Sequence, residues 1–187
     1  MISPAGPEAP GGPVHLVPMR RRHLRSVLKI EHQVYPRPWS LSLFLGELAL
    51  RNSRHYVVAR VDGAVVGYAG LMLSLDEAHV TTIAVDPAWQ KHGIGSRLMI
   101  NLNHAALAWG AQHMTLEVRV SNTAAQHMYA RFGFETEGVR KNYYAESGED
   151  ALIMWVHYIG GEHHLCRIAA IEAGIGGETV DETGERD

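Results

Sequence analysis

The chain has 187 residues, 46% of them hydrophobic, a formal charge of −3 and one cysteine, Cys166. That length suits a single hydrophobic core, and a lone cysteine excludes an internal disulfide and any cysteine-built metal site. No apolar run reaches the ~18 residues of a membrane helix, and the opening MISPAGPEAPGGP lacks the basic start and apolar centre of a secretory signal, so a cytosolic protein without membrane contact is expected.

Charge is unevenly spread, because residues 161–187 hold seven acidic and two basic side chains against 13 acidic and 15 basic before them. A body so close to neutral lacks the dense positive stripe of a nucleic-acid surface. Residues 1–13, with four prolines and three glycines, are expected to form a disordered leader. A domain over 14–159 and a flexible acidic tail over 160–187 follow.

Within that domain, Leu24, Val27, Leu28 and Val34 recur at helical spacing while Arg21, Arg22, Arg25 and Lys29 take the wet side, which predicts a helix from Pro18 to about Val34. Pro36 and Pro38 break it. Ser40 can cap a second helix with Leu41, Phe44, Leu45 and Leu48 on its apolar face. Two β-rich runs, His55–Val61 and Ala64–Leu73, flank Asp62-Gly63, a dipeptide suited to a turn with positive φ at both positions, and predict a hairpin. HVTTIAVDP reads as a strand ended by Pro87, and Gly93 to Trp109 as a helix stopped at Gly110. A strand HMTLEVRV, a helix from Asn122 to Phe132 and two strands, FETEGVRKNYY and ALIMWVHY, complete a mixed α/β order layered around one sheet.

The segment Gln90-Lys91-His92-Gly93-Ile94-Gly95-Ser96 lies where a strand gives way to a helix. The first turn of a helix has N–H groups without intrahelical partners and the positive end of the macrodipole, so it attracts a phosphate, and glycines allow close approach. The third glycine of a dinucleotide fingerprint would fall at Leu98, and no Gly-Lys-Ser/Thr follows, so both common nucleotide motifs fail.

What remains, Q-x-x-G-x-G after Val85-Asp86-Pro87, resembles the acetyl-CoA diphosphate loop of the GNAT acetyltransferases. The likeness extends over Val14 to Tyr158 and is nearest to RimI-type alanine N-acetyltransferases, through Leu116-Glu117-Val118-Arg119, Ser121-Asn122, Tyr129, Gly133-Phe134, Arg140-Lys141-Asn142-Tyr143-Tyr144 and Glu149-Asp150-Ala151. It implies a mixed, mostly antiparallel sheet of about six to seven strands with about four helices. It also implies acetyl-CoA as co-substrate, no metal, and a protein N-terminus as acceptor, possibly that of a small-subunit ribosomal protein.

By the same resemblance Glu117 is the general base and Tyr129 the general acid. An α-amine with a pKa near ~8 needs a base, and a departing thiolate gains from a donor. Cofactor contacts carry over to Ile83, Ala84, Val85, the loop Gln90 to Ser96, and Asn122. A separation between the strands ending at Val85 and Val120 would form the slot. The acceptor groove carries over to Tyr35, Trp39, Tyr143 and Glu146. Spacing alone leaves Glu117 as the polar side of a half-buried strand and Tyr129 and Trp39 as packing aromatics. Lysine or a small amine as acceptor, or a non-catalytic acyl-CoA sensor, stay open at this point.

Overall fold

The computed structural model describes residues 12–184, so nearly all of the expected leader lies outside the described residues. The chain runs through strand β1 (Val14–Pro18), helices α1 (Leu24–Val34) and α2 (Leu41–Ala49), strands β2 (Arg54–Val61), β3 (Ala64–Ser74) and β4 (Glu77–Val85), and helix α3 (Ile94–Ala108). Strand β5 (His113–Arg119), helix α4 (Thr123–Arg131), strands β6 (Glu135–Tyr144) and β7 (Glu149–His157), helix α5 (Glu162–Ala173) and strand β8 (Thr179–Asp181) follow.

The local signals act where they were read. Asp62 and Gly63 take φ of 48° and 82°, closing the β2–β3 hairpin. The Ser40 hydroxyl accepts from Leu43 N–H at the start of α2, and Asn122 Oδ1 accepts from Ala125 N–H at the start of α4. Gly110, at φ 85°, follows the end of α3. The first helix is shorter than expected, because residues 21–23 form a 3-10 turn and α1 proper starts at Leu24.

All eight strands form one sheet in the order β6-β7-β5-β4-β3-β2-β1-β8, with β4–β5 and β1–β8 parallel and the other neighbours antiparallel. Two apolar clusters cover its faces. One joins Leu98, Met99 and Leu102 of α3 to Leu71, Met114 and Phe132, and the other joins Val27 and Ile30 of α1 to Phe44, Val58 and Tyr68.

The strand and helix counts exceed the expected six to seven and four because the sequence places no strand before Pro18 and reads 160–187 as a tail, where β1, α5 and β8 form. The tail reading is corrected: α5 buries His164, Ile168 and Ile171 at helical spacing, and β8 pairs with β1 from Val14↔Thr179 to Leu16↔Asp181. Glycines on both sides of α5 and acidic residues on its outer face hid a buried stripe of only three residues, one of them a histidine.

In the second cluster, Glu31 is 1% exposed and accepts hydrogen bonds from the Tyr68 hydroxyl and, at 2.8 Å, from Trp39 N–H. It therefore fastens the α1–α2 loop to β3. Burial pushes its carboxyl from 4.5 up to about 7. A carboxyl raised on folding favours the fold below its unfolded pKa and loses that contribution as pH rises through the folded value. Wild-type thermal midpoints are thus expected to fall between pH 4.5 and 7 relative to Glu31→Gln; parallel melting curves for the two proteins across that range would contradict it.

Candidate active site

Strands β4 and β5 pair only from Glu77↔His113 to His79↔Thr115. Beyond that point β5 stays on β7 as far as Arg119, and β4 stays on β3 as far as Val85. The register of β4 on β3 jumps from Leu71↔Val80 to Gly70↔Thr82, leaving Thr81 as an extra residue just where the strands part. Such a bulge bends its strand. The slot expected between the ends of these strands is present.

Its wall offers main-chain groups. The Tyr35 hydroxyl donates to the Ile83 carbonyl at 2.7 Å, while Asp86 N–H donates to Val66 on β3. Alternation therefore turns the N–H and C=O of Ile83 and Val85 into the gap and those of buried Ala84 towards β3. An unpaired strand edge accepts an extended amide chain.

At the far end of β4 the chain turns into α3. Lys91 and Gly93 both adopt left-handed φ, 66° and 74°, curling the loop Gln90 to Gly93. Intrahelical bonding begins with Arg97 N–H to the Gly93 carbonyl, so the N–H groups of Ile94, Gly95 and Ser96 point out of the helix end. A Cβ on Gly95 would stand 3.2 Å from Met128 Sδ, which shows how closely α4 approaches here. One on Gly93 would lie 2.8 Å from Arg97 Nη1. His92 Nδ1 lies 2.7 Å from the Gln90 carbonyl, and Asn122 caps the nearby α4.

Glu117 sits two residues past Thr115, on the face of β5 that meets β4. Its Oε2 accepts from His79 Nε2 at 2.6 Å and its Oε1 lies 3.3 Å from Arg140 Nη2. The His79 hydrogen bond outweighs burial and holds the carboxyl below its usual range, with Arg140 adding to the effect. Tyr129, 6% exposed, has a hydroxyl without a hydrogen bond among the described residues, and burial raises its pKa, followed by the fields of Tyr35 and Tyr144.

Of the expected acceptor residues, Tyr143 lies near Glu117 and Tyr35 near Tyr129. Tyr143 is exposed, feels the Glu117 charge and stands edge-on to Tyr144 at 5.2 Å. Tyr144, pushed up to about 12 mainly by burial, lies under the Arg119 guanidinium at 3.7 Å. Glu146 is ion-paired with Arg119, so its charge is already matched. Trp39 packs against Phe44 at 5.3 Å and is held by its N–H to Glu31, which supports the packing reading at least as well as a groove.

Two partners, His79 and Arg97, escaped the sequence, while Arg140 and Tyr144 belong to the matched motif without having been given a role of their own. His79 faces Glu117 only because of the β4–β5 register, which no local pattern encodes. A cleft of about 580 Å³ on the α1 face, lined by Arg22, Lys29, Arg60 and Trp89, contains none of the site residues.

The Acetyltransferase (GNAT) family profile matches residues 24–134. The N-alpha-acetyltransferase RimI of Mycobacterium tuberculosis is 39% identical over 148 residues, covering 76% of this chain and 91% of the relative. The ribosomal protein bS18-alanine N-acetyltransferase of Salmonella typhimurium is 36% identical over 133 residues, 70% and 88% of the two chains. Among solved structures, the ribosomal-protein-S18-alanine N-acetyltransferase of Escherichia coli superposes with a TM-score of 0.72 at 31% identity, over 80% of this chain and 97% of that one.

Since His79 is the chief cause of the lowered Glu117 carboxyl, His79→Gln is expected to move that pKa upward. Titration of the glutamate carboxyl carbons by NMR reads it directly. A value unmoved by the substitution would remove His79 as the controlling group.

Proposed function

The chain belongs to the GNAT family of acetyltransferases and draws its acetyl group from acetyl-CoA; from that premise we propose that it acetylates the N-terminal α-amine of a protein, with the N-terminal alanine of a small-subunit ribosomal protein as the favoured acceptor. The observation that carries this reading is the parting of β4 from β5 with His79 and Glu117 at its apex. The identity to enzymes named for that acceptor supports the substrate.

In this reading the diphosphate rests on the N–H groups of Ile94, Gly95 and Ser96, where charge-assisted hydrogen bonds and the helix dipole act together. The pantetheine amides run along Ile83 and Val85, and Asn122 borders the same end of the slot. The acetyl carbonyl then reaches the apex of the slot, beside Glu117.

The amine must lose one proton as its nitrogen bonds to the acetyl carbon and the carbon–sulfur bond breaks. A carboxylate with a lowered pKa stays ionised at neutral pH but is a weak base on its own. Glu117 therefore works with His79: the carboxylate holds Nε2–H and leaves Nδ1, which makes no hydrogen bond among the described residues, as an acceptor. At the other side of the reaction, a phenol with a raised pKa does not surrender its proton to a thiolate whose own pKa is near ~8.5. Tyr129 acts as a hydrogen-bond donor to the leaving sulfur, which refines the general-acid role implied by resemblance. Tyr35, Trp39, Tyr143 and Glu146 line the approach of the peptide, the aromatic rings leaving room for a small first side chain.

Two measurements test this. Thiol release from acetyl-CoA is expected with a free alanine-terminated peptide and not with the same peptide N-terminally blocked and carrying a free lysine; turnover only on lysine would discard the α-amine assignment. Glu117→Gln is expected to lower kcat on the alanine peptide about 100-fold, a common share for a general base, with CoA affinity nearly unchanged. Equal rates for mutant and wild type from pH 6 to 9 would take Glu117 out of the mechanism.

A further inference from the structure

Arg97 is 2% exposed and donates all its hydrogen bonds to neutral oxygens: Nε to Thr179 Oγ1 at 2.8 Å, Nη1 to the His92 carbonyl at 3.2 Å, and Nη2 to the carbonyls of Gly176 at 2.5 Å and Gly177 at 3.5 Å. No carboxylate pairs with it among the described residues. A buried charge without a counter-charge is costly even when its hydrogen bonds are made. Its position adds to that cost, because Arg97 is the fourth residue of α3 and lies at the positive end of the helix dipole. Nothing in the apolar packing requires a cation there.

The surroundings give it a use. The His92 carbonyl that it holds belongs to the diphosphate loop, and the outward N–H groups of Ile94, Gly95 and Ser96 begin one turn ahead of it. The other three acceptors come from the C-terminal segment, roughly eighty residues away in sequence. One turn further along α3, Asn101 Nδ2 donates to Asp181 Oδ2 and Thr183 Oγ1, both at 2.8 Å. Ile175 completes the contact, standing 3.2 Å from where a Cβ on Gly93 would be. The last segment of the chain thus straps the start of α3 and presses on the underside of the loop.

We propose that Arg97 is a positioning residue for the acetyl-CoA diphosphate, and that residues 175–183 are part of the cofactor site because they hold its guanidinium beneath the loop. The diphosphate supplies the missing counter-charge, and the His92 carbonyl transmits the guanidinium's position to the loop backbone. This rests on the diphosphate lying at Ile94 to Ser96, but not on the identity of the acceptor.

The test is calorimetric titration of the full chain with CoA and with pantetheine, which has the arm but no diphosphate. Wild type is expected to bind CoA the more tightly, with an affinity that falls as salt is added. Arg97→Gln is expected to lose about tenfold in CoA affinity and most of that salt dependence, while its pantetheine affinity stays as it was. Thr179→Val keeps the charge and removes one tether, and is expected to lose a few-fold for CoA only. Equal CoA affinity in wild type and both variants overturns the proposal, and so does an equal proportional loss for CoA and pantetheine, the mark of general loosening. Should Arg97→Gln fail to fold, the Thr179→Val comparison decides by the same ratio. Wild type binding pantetheine as tightly as CoA would remove the diphosphate placement itself, and Arg97's role with it.

Discussion

The parting of β4 from β5 is the constraint on which the rest of the site depends. Two parallel neighbours in the middle of a sheet normally satisfy each other's main chain along their length. Here they do so over three residue pairs and then separate, leaving the Ile83 to Val85 edge without a strand partner on one side. The split persists because each strand is fully paired on its other side, β4 with β3 and β5 with β7. The sheet is therefore divided into two halves that part at His79↔Thr115. His79 and Glu117 bridge the first open step beyond that point, so the site's hydrogen-bonded pair and the slot's apex share one location.

Each face of the sheet is backed by its own apolar cluster. Glu31, buried beneath α1, joins the α1–α2 loop to β3, and Tyr35 on that loop reaches Ile83 on the slot's edge. The acceptor side is thus tied to the same strand that offers main chain to the cofactor. On the other face, α3 lies across β2, β3 and β4 and carries the diphosphate loop at its start. Movement of α3 would displace the loop relative to Ile83 and Val85, which explains why the helix is fastened at both Arg97 and Asn101.

The parts legible in the sequence are those governed by neighbours in the chain. Asp62-Gly63, Ser40, Asn122 and Gly110 set turns and caps by their own stereochemistry, and the glycine pair at 93 and 95 marked the loop. Residues 160–184 misled because their composition is that of a solvated tail, whereas their stability comes from a buried stripe and from pairing with β1, a partner some 165 positions away. Glu117 was found through motif resemblance, but the direction of its pKa was not. That direction depends on His79 and Arg140, which approach through strand register alone. Register belongs to the pairing of strands, and the β-branched run Val80 to Ile83 favours a strand without fixing its partner.

Charge along the slot is arranged unequally, and this bears on the order of events. At the reacting end each of these charges has a partner: Glu117 meets Arg140, while Arg119 meets Glu146 and Glu149. At the end where the diphosphate is proposed to lie, Arg97 has none among the described residues, and the open N–H groups of α3 reinforce its sign. The unbalanced field therefore favours the anionic co-substrate over a peptide amine, which on the proposed reading binds through shape and hydrogen bonds. Once the diphosphate has neutralised the loop end, a cationic N-terminus can approach the apex without repulsion from it. Donor before acceptor is the order that this distribution of charge favours.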